Sequence, residues 1–215
     1  MKVSIIITCY NREKYISRAI RSALGQKFNN NEFEVIVVDD GSTDSSLDII
    51  DDYSLEVKTL KLKQNKGLPF ARNYGIRKAK GRFVVMLDSD DYIDENLINV
   101  EYLFLSMNPH WGAVSCDYII VDNDELHINR VSGAIEPIAC GIMFKKDALI
   151  DIGLYDEEML MSEEKDLRVR FLSKYHIGHI ELPLYRYRKH QDNITNDVET
   201  LNKYNEKIKN KFADE

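Results

Sequence analysis

The sequence predicts an α/β fold with a mostly parallel central sheet flanked by helices. Apolar, strand-like runs recur in the first part of the chain, at 3–7, 34–38, 56–62 and 82–87. Between them, apolar residues recur at the helical intervals of three and four: Ile16, Ala19, Ile20 and Ala23, then Leu47 and Ile50. The runs are rich in Val and Ile, which is typical of parallel strands covered on both faces. This alternation of strand and helix indicates crossover connections between parallel strands.

The pattern loosens after residue 95, which indicates a smaller, mixed region. We expect one helix over 95–107 and an amphipathic helix over 162–175. Strand-like segments lie at 112–123, 125–132 and 140–146, and two short pieces follow at 177–182 and 184–190. The final stretch, 196–215, is polar and charged, so a peripheral helix and a frayed tail both stay open.

The composition excludes several classes of protein. The 215 residues include 44% hydrophobic residues, enough for a substantial core, and carry a formal net charge of −7, which argues against a nucleic-acid binder. Three cysteines, Cys9, Cys116 and Cys140, are odd in number and lack metal-type spacing, which fits a reducing compartment. No stretch approaches about 18 consecutive apolar residues. We therefore expect a cytoplasmic protein, and leave contact with the inner face of a membrane open.

Polar residues follow three of the predicted strands. The residues at the ends of these strands are Thr8–Cys9–Tyr10–Asn11, Asp39–Asp40–Gly41–Ser42 and Asp88–Ser89–Asp90–Asp91. In open parallel sheets, ligands bind outside the carboxyl ends of the strands. The sequence therefore predicts two acidic clusters that converge on one edge of the sheet.

The acidic clusters favour a phosphate-bearing ligand held through a divalent cation. Neither a G-x-G-x-x-G nor a P-loop motif follows any strand, so a phosphate needs another source of positive charge. Mg²⁺ typically takes one or two carboxylates together with substrate phosphates, and the D-x-D of residues 88–90 supplies such carboxylates. A plain polar loop is the alternative there. Likewise, Asp39 and Asp40 fit a nucleobase N–H or ribose hydroxyls, or else a simple turn before a capped helix.

Three further groups of residues are open to two interpretations each. Arg72 lies near the strand-end edge, where it could meet a diphosphate or be a solvated helical arginine. Glu163 and Glu164 lie in a predicted first helical turn, which suits either the helix dipole or a general base. The basic run at 186–190 is either a solvated strand or a phosphate- or metal-side contact, with His190 as a candidate ligand.

Four segments, in this order and spacing, closely resemble the inverting nucleotide-sugar glycosyltransferases with the GT-A fold, of the glycosyltransferase family 2 type. They are VSIIITCYNREKYISRAIRSALGQ, EVIVVDDGSTDSS, NKGLPFARNYGIRKAKGRFVVMLDSDD and EEKDLRVRF. The resemblance is dense to about residue 110 and returns as landmarks to about residue 195. It implies a Rossmann-like GT-A domain over 1–195, with a nucleotide-binding half at 1–94 and an acceptor half at 95–195. A peripheral helix or tail would follow at 196–215.

The resemblance also implies a role for each candidate residue. It implies a nucleotide-diphosphate-sugar donor, usually a uridine one, with Mn²⁺ or Mg²⁺ as cofactor. Its implied nucleotide-binding residues are Thr8, Tyr10 and Asn11 around the base, Asp39 or Asp40 reading the base, Arg72 near the diphosphate, and Asp88 on the ribose or shared with the metal. Its implied metal ligands are Asp90, Asp91 and His190. Glu164 occupies the position of the catalytic base, where the family commonly has Asp, and Cys140, Gly141 and Glu163 would shape the sugar and acceptor site.

The implied activity is a single sugar addition to a hydroxyl of a glycan or lipid-linked acceptor, in surface polysaccharide or lipooligosaccharide assembly. The chain has no Q-x-x-R-W signature, which argues against a processive synthase. Two alternatives stay open: a non-catalytic nucleotide-sugar-binding subunit, and a metal-dependent phosphohydrolase or nucleotidyltransferase. Assembly into a homodimer is also left open.

Overall fold

A computed structural model describes residues 1–213 of the chain. Its strands are β1 (Val3–Cys9), β2 (Phe33–Asp39), β3 (Lys58–Lys61), β4 (Phe83–Asp88), β5 (Tyr92–Ile93), β6 (Trp111–Val121), β7 (His127–Val131), β8 (Ile142–Lys145) and β9 (His176–Arg188). Its α-helices are α1 (Ile16–Leu24), α2 (Ser46–Asp51), α3 (Leu68–Lys78), α4 (Leu97–Met107), α5 (Lys146–Asp151), α6 (Glu163–Leu172) and α7 (Val198–Lys211). A short 3₁₀ helix spans Ile194–Asn196.

The strands form one mixed sheet in the order β3-β2-β1-β4-β8-β6-β9-β5, and β7 pairs with β6. The four strands of the first part, β3, β2, β1 and β4, are all parallel to their neighbours. From β8 onward the pairing is mostly antiparallel, except that β9 runs parallel to β6. The predicted fold class, a parallel core with a smaller mixed region, is confirmed.

The parallel strands lie at the centre of the hydrophobic core. Every residue of β1 is buried, and α1 and α3 both pack on it, which explains its unbroken apolar sequence. Gly75 of α3 allows a very close approach, since a Cβ there would lie 2.5 Å from the Cγ2 atom of Ile6. The crossover helices thereby hold the strand ends, and the residues that follow them, in fixed positions.

Several predicted boundaries need correction. The two short pieces expected at 177–182 and 184–190 are one strand, β9, whose register with β6 shifts near Pro183. Proline has no N–H to donate to a strand ladder, so it ends regular pairing without ending the strand. The helix expected over 162–175 is shorter, Glu163–Leu172. The final stretch contains a helix, α7, and its last two residues lie outside the described part of the chain.

Two other observations bear on the sequence-based expectations. Cys9, Cys116 and Cys140 are all buried free thiols. Within residues 1–213, no helix has both the length and the apolar character needed to cross a membrane.

Candidate functional site

The carboxyl ends of β1, β2 and β4 meet at one edge of the sheet, as predicted. Cys9 of β1 is in register with Asp39 of β2, and Thr8 is in register with Asp88 of β4. The segments that follow these strands therefore leave the sheet side by side. This juxtaposition brings the two acidic clusters into one candidate site.

The two carboxylates at the end of β2 have different surroundings. Asp40 accepts hydrogen bonds from the backbone N–H groups of Lys66 (2.8 Å) and Gly67 (2.9 Å), so it holds the loop that leads into α3. Asp39 is buried, and its Oδ2 accepts a 3.3 Å hydrogen bond from the Ser42 N–H. The Oδ1 of Asp39 is buried without a partner among the described residues. An unpaired buried acceptor is costly unless a ligand donates to it, so Asp39 fits a base-reading role better than Asp40 does.

The residues that follow β1 hold the loop after β2. Asn11 adopts a left-handed backbone conformation, with φ of 52°. Its N–H donates to Ser42 Oγ (3.0 Å), and its Oδ1 accepts from the Thr43 N–H (2.8 Å). Thr8 is buried, whereas the ring of Tyr10 is exposed at the edge of the sheet. The structure therefore brings all three near the end of β2, and their contact with a nucleobase stays a prediction.

Arg72 is a buried connection between the two parts of the site. Its Nη2 donates to Asp88 Oδ1 (2.8 Å), and its Nη1 donates to the carboxylate of Glu163. Burial alone would lower the pKa of Arg72, but the carboxylates of Asp88 and Glu163 raise it well above its ordinary value. The side chain is 1% exposed, so the alternative of a solvated arginine is wrong. Contact with a diphosphate stays a prediction.

The first turn of α6 carries the two adjacent glutamates. Glu163 is buried, and desolvation raises its pKa to about 7 although Arg72 opposes the shift. The charge of the neighbouring Glu164, which is only half-buried, adds to this rise. Because Arg72 joins Glu163 to Asp88, the first turn of α6 lies next to the end of β4. A half-buried carboxylate in that place can accept a proton from a bound hydroxyl.

Asp90 lies between two nitrogen donors. Its Oδ2 accepts from Arg12 Nε (3.2 Å) and faces His190 Nε2 at 3.0 Å. The Nδ1 of His190 accepts from the Asp192 N–H (3.1 Å), so Nε2 carries the ring proton in this arrangement. Burial favours the neutral acid, but His190 and Arg12 hold the pKa of Asp90 below its ordinary value. Asp90 is therefore ionised at neutral pH.

Asp91 points into the protein. Its Oδ2 accepts from the Tyr185 hydroxyl (2.6 Å) and its Oδ1 from the Arg188 N–H (2.7 Å). Desolvation, followed by the charges of Asp90 and Asp88, raises its pKa well above the ordinary value. These contacts argue against the predicted metal-binding role of Asp91 and favour a role in fixing the loop. That assignment stays a prediction to be tested.

A metal could be held here only in part by the protein. Among residues 1–213, no three His, Cys, Asp or Glu side chains are grouped closely enough to hold an ion by themselves. The side chains of Asp90 and His190 are in contact, however, and Asp88, two residues before Asp90, is the last residue of β4. Mg²⁺ and Mn²⁺ commonly take their remaining ligands from substrate phosphates and water, so this partial set fits a metal that arrives with a diphosphate.

The segment at Cys140 and Gly141 lies against this cluster. Cys140 is buried, with its Sγ 3.8 Å from Arg72 Nη2. Gly141 has a φ of +67°, and a Cβ there would lie 3.0 Å from the Cβ of Tyr185. Only glycine tolerates this combination of conformation and crowding. The structure thus brings both residues to the site, while their effect on the choice of sugar stays a prediction.

Sequence reasoning missed Arg12 and left the role of Arg188 open within the basic run at 186–190. Arg12 pairs with a residue 78 positions away, which no local pattern reveals. Arg188 is buried, and it donates to the backbone oxygens of Asp90 (2.9 Å) and Asn123 (3.0 Å) and to Glu125 (2.9 Å). The alternative of a solvated basic strand is therefore wrong for Arg188. The period of two that places Arg186 and Arg188 on one face of β9 was the available signal.

Comparisons with known proteins agree with this geometry. The model of the family described as Glycosyl transferase family 2 matches residues 4–170. The chain is 43% identical over 108 residues to the poly(ribitol-phosphate) beta-N-acetylglucosaminyltransferase TarS of Staphylococcus aureus, a match covering 49% of this chain and 19% of TarS. It is 30% identical over 208 residues to an uncharacterized glycosyltransferase of Rickettsia bellii, covering 90% of this chain and 30% of that protein.

Solved structures show the same fold. Staphylococcus aureus TarS 1-349 in complex with UDP-GlcNAc matches with a TM-score of 0.81 at 25% identity, covering 97% of this chain and 65% of that chain. The mannosyltransferase PcManGT from Pyrobaculum calidifontis, in complex with GDP-Man and Mn2+, matches in fold with a TM-score of 0.73 at 18% identity, covering 89% of this chain and 58% of that chain. By length, this chain spans less than a third of each of the two relatives compared by sequence, TarS and the Rickettsia bellii protein.

Proposed function

Because the chain belongs to glycosyl transferase family 2, we propose that it transfers a sugar from a nucleotide-diphosphate-sugar, a UDP-sugar, to a hydroxyl of a glycan or lipid-linked acceptor. The observation that carries this proposal is the meeting of Asp39, Asp88 and Asp90 at one edge of the sheet, directly beside the glutamates of α6. TarS supports a uridine donor, since its matching structure is a complex with UDP-GlcNAc. Its name, which specifies poly(ribitol-phosphate), also supports a polymer as the acceptor.

In the proposed complex, the free Oδ1 of Asp39 accepts an N–H of the base, and the exposed ring of Tyr10 covers one face of the base. Thr8 and Asn11 complete the wall of this pocket. Asp88, held by Arg72, is oriented toward the ribose. Arg72 then acts by fixing two carboxylates in place, and its own contact with the diphosphate is part of the proposal.

Asp90 and His190 are the proposed protein ligands of the metal, with His190 binding through Nε2 after this nitrogen gives up its proton, and Asp88 shares in the same site. A bound Mn²⁺ or Mg²⁺ would neutralise charge on the diphosphate as it leaves. Arg12 holds Asp90 in the ionised form that such a ligand requires. Arg188 fixes the loop from behind through the backbone oxygen of Asp90.

Glu164 is the proposed catalytic base. It takes the proton of the acceptor hydroxyl as that oxygen attacks the anomeric carbon, and the bond to the diphosphate breaks on the opposite face. One displacement of this kind inverts the configuration at the anomeric carbon. Glutamate is one methylene longer than the aspartate common in the family, so the acceptor oxygen would lie slightly farther from the helix. Glu163, Cys140 and Gly141 would border the sugar.

The test is a transfer assay with a panel of UDP-sugars and surface-glycan acceptors, in which UDP release and product formation are both measured. The proposal expects acceptor-dependent UDP release that Glu164→Gln reduces by about 10²-fold or more. Glu56→Gln, the same change at an exposed glutamate outside the site, is the matched control.

The same assay separates the alternatives. Donor binding with neither transfer nor hydrolysis in the wild type would indicate a non-catalytic binding subunit. Release of phosphate from a phosphomonoester, with no sugar moved, would indicate a phosphohydrolase. A homodimer and contact with the inner face of a membrane stay predictions, which sedimentation and vesicle flotation would test.

A further inference from the structure

Helix α7 (Val198–Lys211) follows the family-matched region and packs lightly on the rest of the protein. None of its residues is buried, and its inward side is only half-buried, at Leu201, Tyr204 and Ile208. Asp197 caps its start by accepting from the Thr200 N–H at 3.1 Å. An element with so little buried apolar surface has low local stability. Its position must therefore depend largely on its polar contacts.

Those polar contacts all reach one segment, the loop at 156–162 and the start of α6. Asn205 Oδ1 accepts from Ser162 Oγ (3.2 Å) and from Lys165 Nζ (2.8 Å). Further along the helix, Lys207 Nζ donates to the backbone oxygen of Glu158 (3.3 Å). Lys211 Nζ lies 2.7 Å from both Asp156 Oδ2 and Asp166 Oδ1. The middle and the C-terminal end of the helix thus contact this segment.

The contacted segment carries the glutamates of the candidate site. Ser162 immediately precedes Glu163 and has a φ of 59°, the left-handed conformation that non-glycine residues rarely adopt. Such a conformation persists only where the surroundings enforce it. A relaxation at Ser162 would rotate the first turn of α6 and move both glutamates. The side chain of Ser162 is buried, and Asn205 is the partner recorded for its hydroxyl.

We propose that Asn205 is a positioning residue for catalysis. Its amide oxygen joins Ser162 to Lys165 across the start of α6, and this keeps Glu164 directed at the acceptor hydroxyl. The inference rests on the proposed function, because it assigns Asn205 a role at the same site. It adds a segment, α7, that lies beyond the residues matched by the family model.

The kinetic test compares Asn205→Ala with the matched control Asn202→Ala, an exposed residue on the same helix. Asn205→Ala should lower kcat by about 10- to 100-fold, since a small misplacement of a catalytic group has effects of this size. The KM for the UDP-sugar should change less than about twofold, and Asn202→Ala should match the wild type. Asn205→Asp retains an acceptor oxygen and should restore most of the loss.

A second measurement follows the position of the segment without using activity. Hydrogen exchange of backbone amides at 158–166 should quicken in Asn205→Ala and stay unchanged in Asn202→Ala. Wild-type kcat together with unchanged exchange in Asn205→Ala would overturn the inference. An equal loss of donor affinity and kcat would also overturn it, because that pattern reports general damage.

The two proposals can fail separately. If the wild-type protein transfers no sugar in any assay, the proposed function fails and the exchange measurement alone decides the role of Asn205. In that case, quicker exchange confined to 158–166 would support the positioning contact, and unchanged exchange would refute it.

Discussion

Arg72 joins Asp88, on the proposed donor side of the site, to Glu163, which lies next to the proposed catalytic base. It is fully buried between Asp88 and Glu163, and its Nε lacks a hydrogen-bond partner among the described residues. A buried charge is tolerable only when it is paired, so each carboxylate depends on the arginine and the arginine on both. The site therefore has a buried, ion-paired centre.

Replacing Arg72 should consequently destabilise the whole protein. We expect Arg72→Met to lower the free energy of unfolding by about 3 kcal/mol, because a buried carboxylate loses its partner while the apolar stem is kept. Urea denaturation followed by circular dichroism measures this. Arg77→Met, on the exposed side of the same helix, should change stability by less than about 0.5 kcal/mol. Equal stabilities of the two variants would contradict this view of Arg72.

Glu163 should make stability depend on pH. Burial raises its pKa from 4.5 to about 7, so between these values the folded protein keeps a proton that the unfolded chain releases. The free energy of unfolding therefore falls as the pH rises through this window. Glu163→Gln cannot titrate and should lose this contribution. The stability of the variant relative to wild type should rise by on the order of 1–3 kcal/mol between pH 5 and pH 8.

Urea titrations of both proteins at several pH values measure this difference. Two stability curves that run parallel from pH 5 to pH 8 would show that Glu163 keeps an ordinary pKa in the folded protein. Glu158→Gln, at a strongly exposed position, is the control for removal of one acidic group.

At the level of residues, the sequence predicted where the acidic side chains lie but only part of what they contact. The strand-end rule correctly brought Asp39 and Asp88 together, because parallel pairing of strands follows from apolar patterning. The family resemblance implied the same metal-binding role for Asp90 and Asp91, although one is paired with Arg12 and the other is buried against Tyr185. Such distinctions depend on contacts between residues far apart in the chain.

Helix α4 contains a buried acidic residue, Glu101. Glu101 is fully buried, and neither carboxylate oxygen has a hydrogen-bond partner among the described residues. Desolvation raises its pKa well above the ordinary value, and the neighbouring Cys116 opposes part of this shift. The candidate site does not use it, and an unpaired buried polar group costs stability.

An apolar residue of similar shape should therefore stabilise α4. We expect Glu101→Met to raise the free energy of unfolding by about 1–2 kcal/mol, without changing affinity for a UDP-sugar. Thermal unfolding and calorimetric binding measure the two quantities. A loss of stability in Glu101→Met would show that the carboxyl group has a partner, such as bound water, that offsets its burial.

At the level of elements, the strands and helices of the first part follow from local periodicity, and the later ones follow less well. The bounds of β1, β2 and β4 match the predicted apolar runs to within two residues at each end. The strand β9 does not, because a proline in its interior suggested a break. Its pairing with β6 on one side and β5 on the other is long-range, and no local pattern specifies it.

For the molecule as a whole, one sheet joins the part that ends near residue 94 to the part that follows it. The strand β8 pairs with β4, and β5 pairs with β9, so both predicted halves share strands at the site. The division into a nucleotide-binding half and an acceptor half stays a prediction. Its physical basis is the convergence of Asp39, Asp88 and Asp90 on one side and α6 on the other.

Calorimetric titration with UDP-GlcNAc, with and without Mn²⁺, tests the central claim that this edge of the sheet binds a nucleotide-sugar through Asp90. The account predicts saturable binding that Mn²⁺ strengthens, and Asp90→Asn should lose that gain of about tenfold or more. Asp91→Asn, the adjacent residue with inward contacts, should retain it. The absence of binding for every nucleotide-sugar in a panel, or equal Mn²⁺ dependence in Asp90→Asn and wild type, would contradict the account.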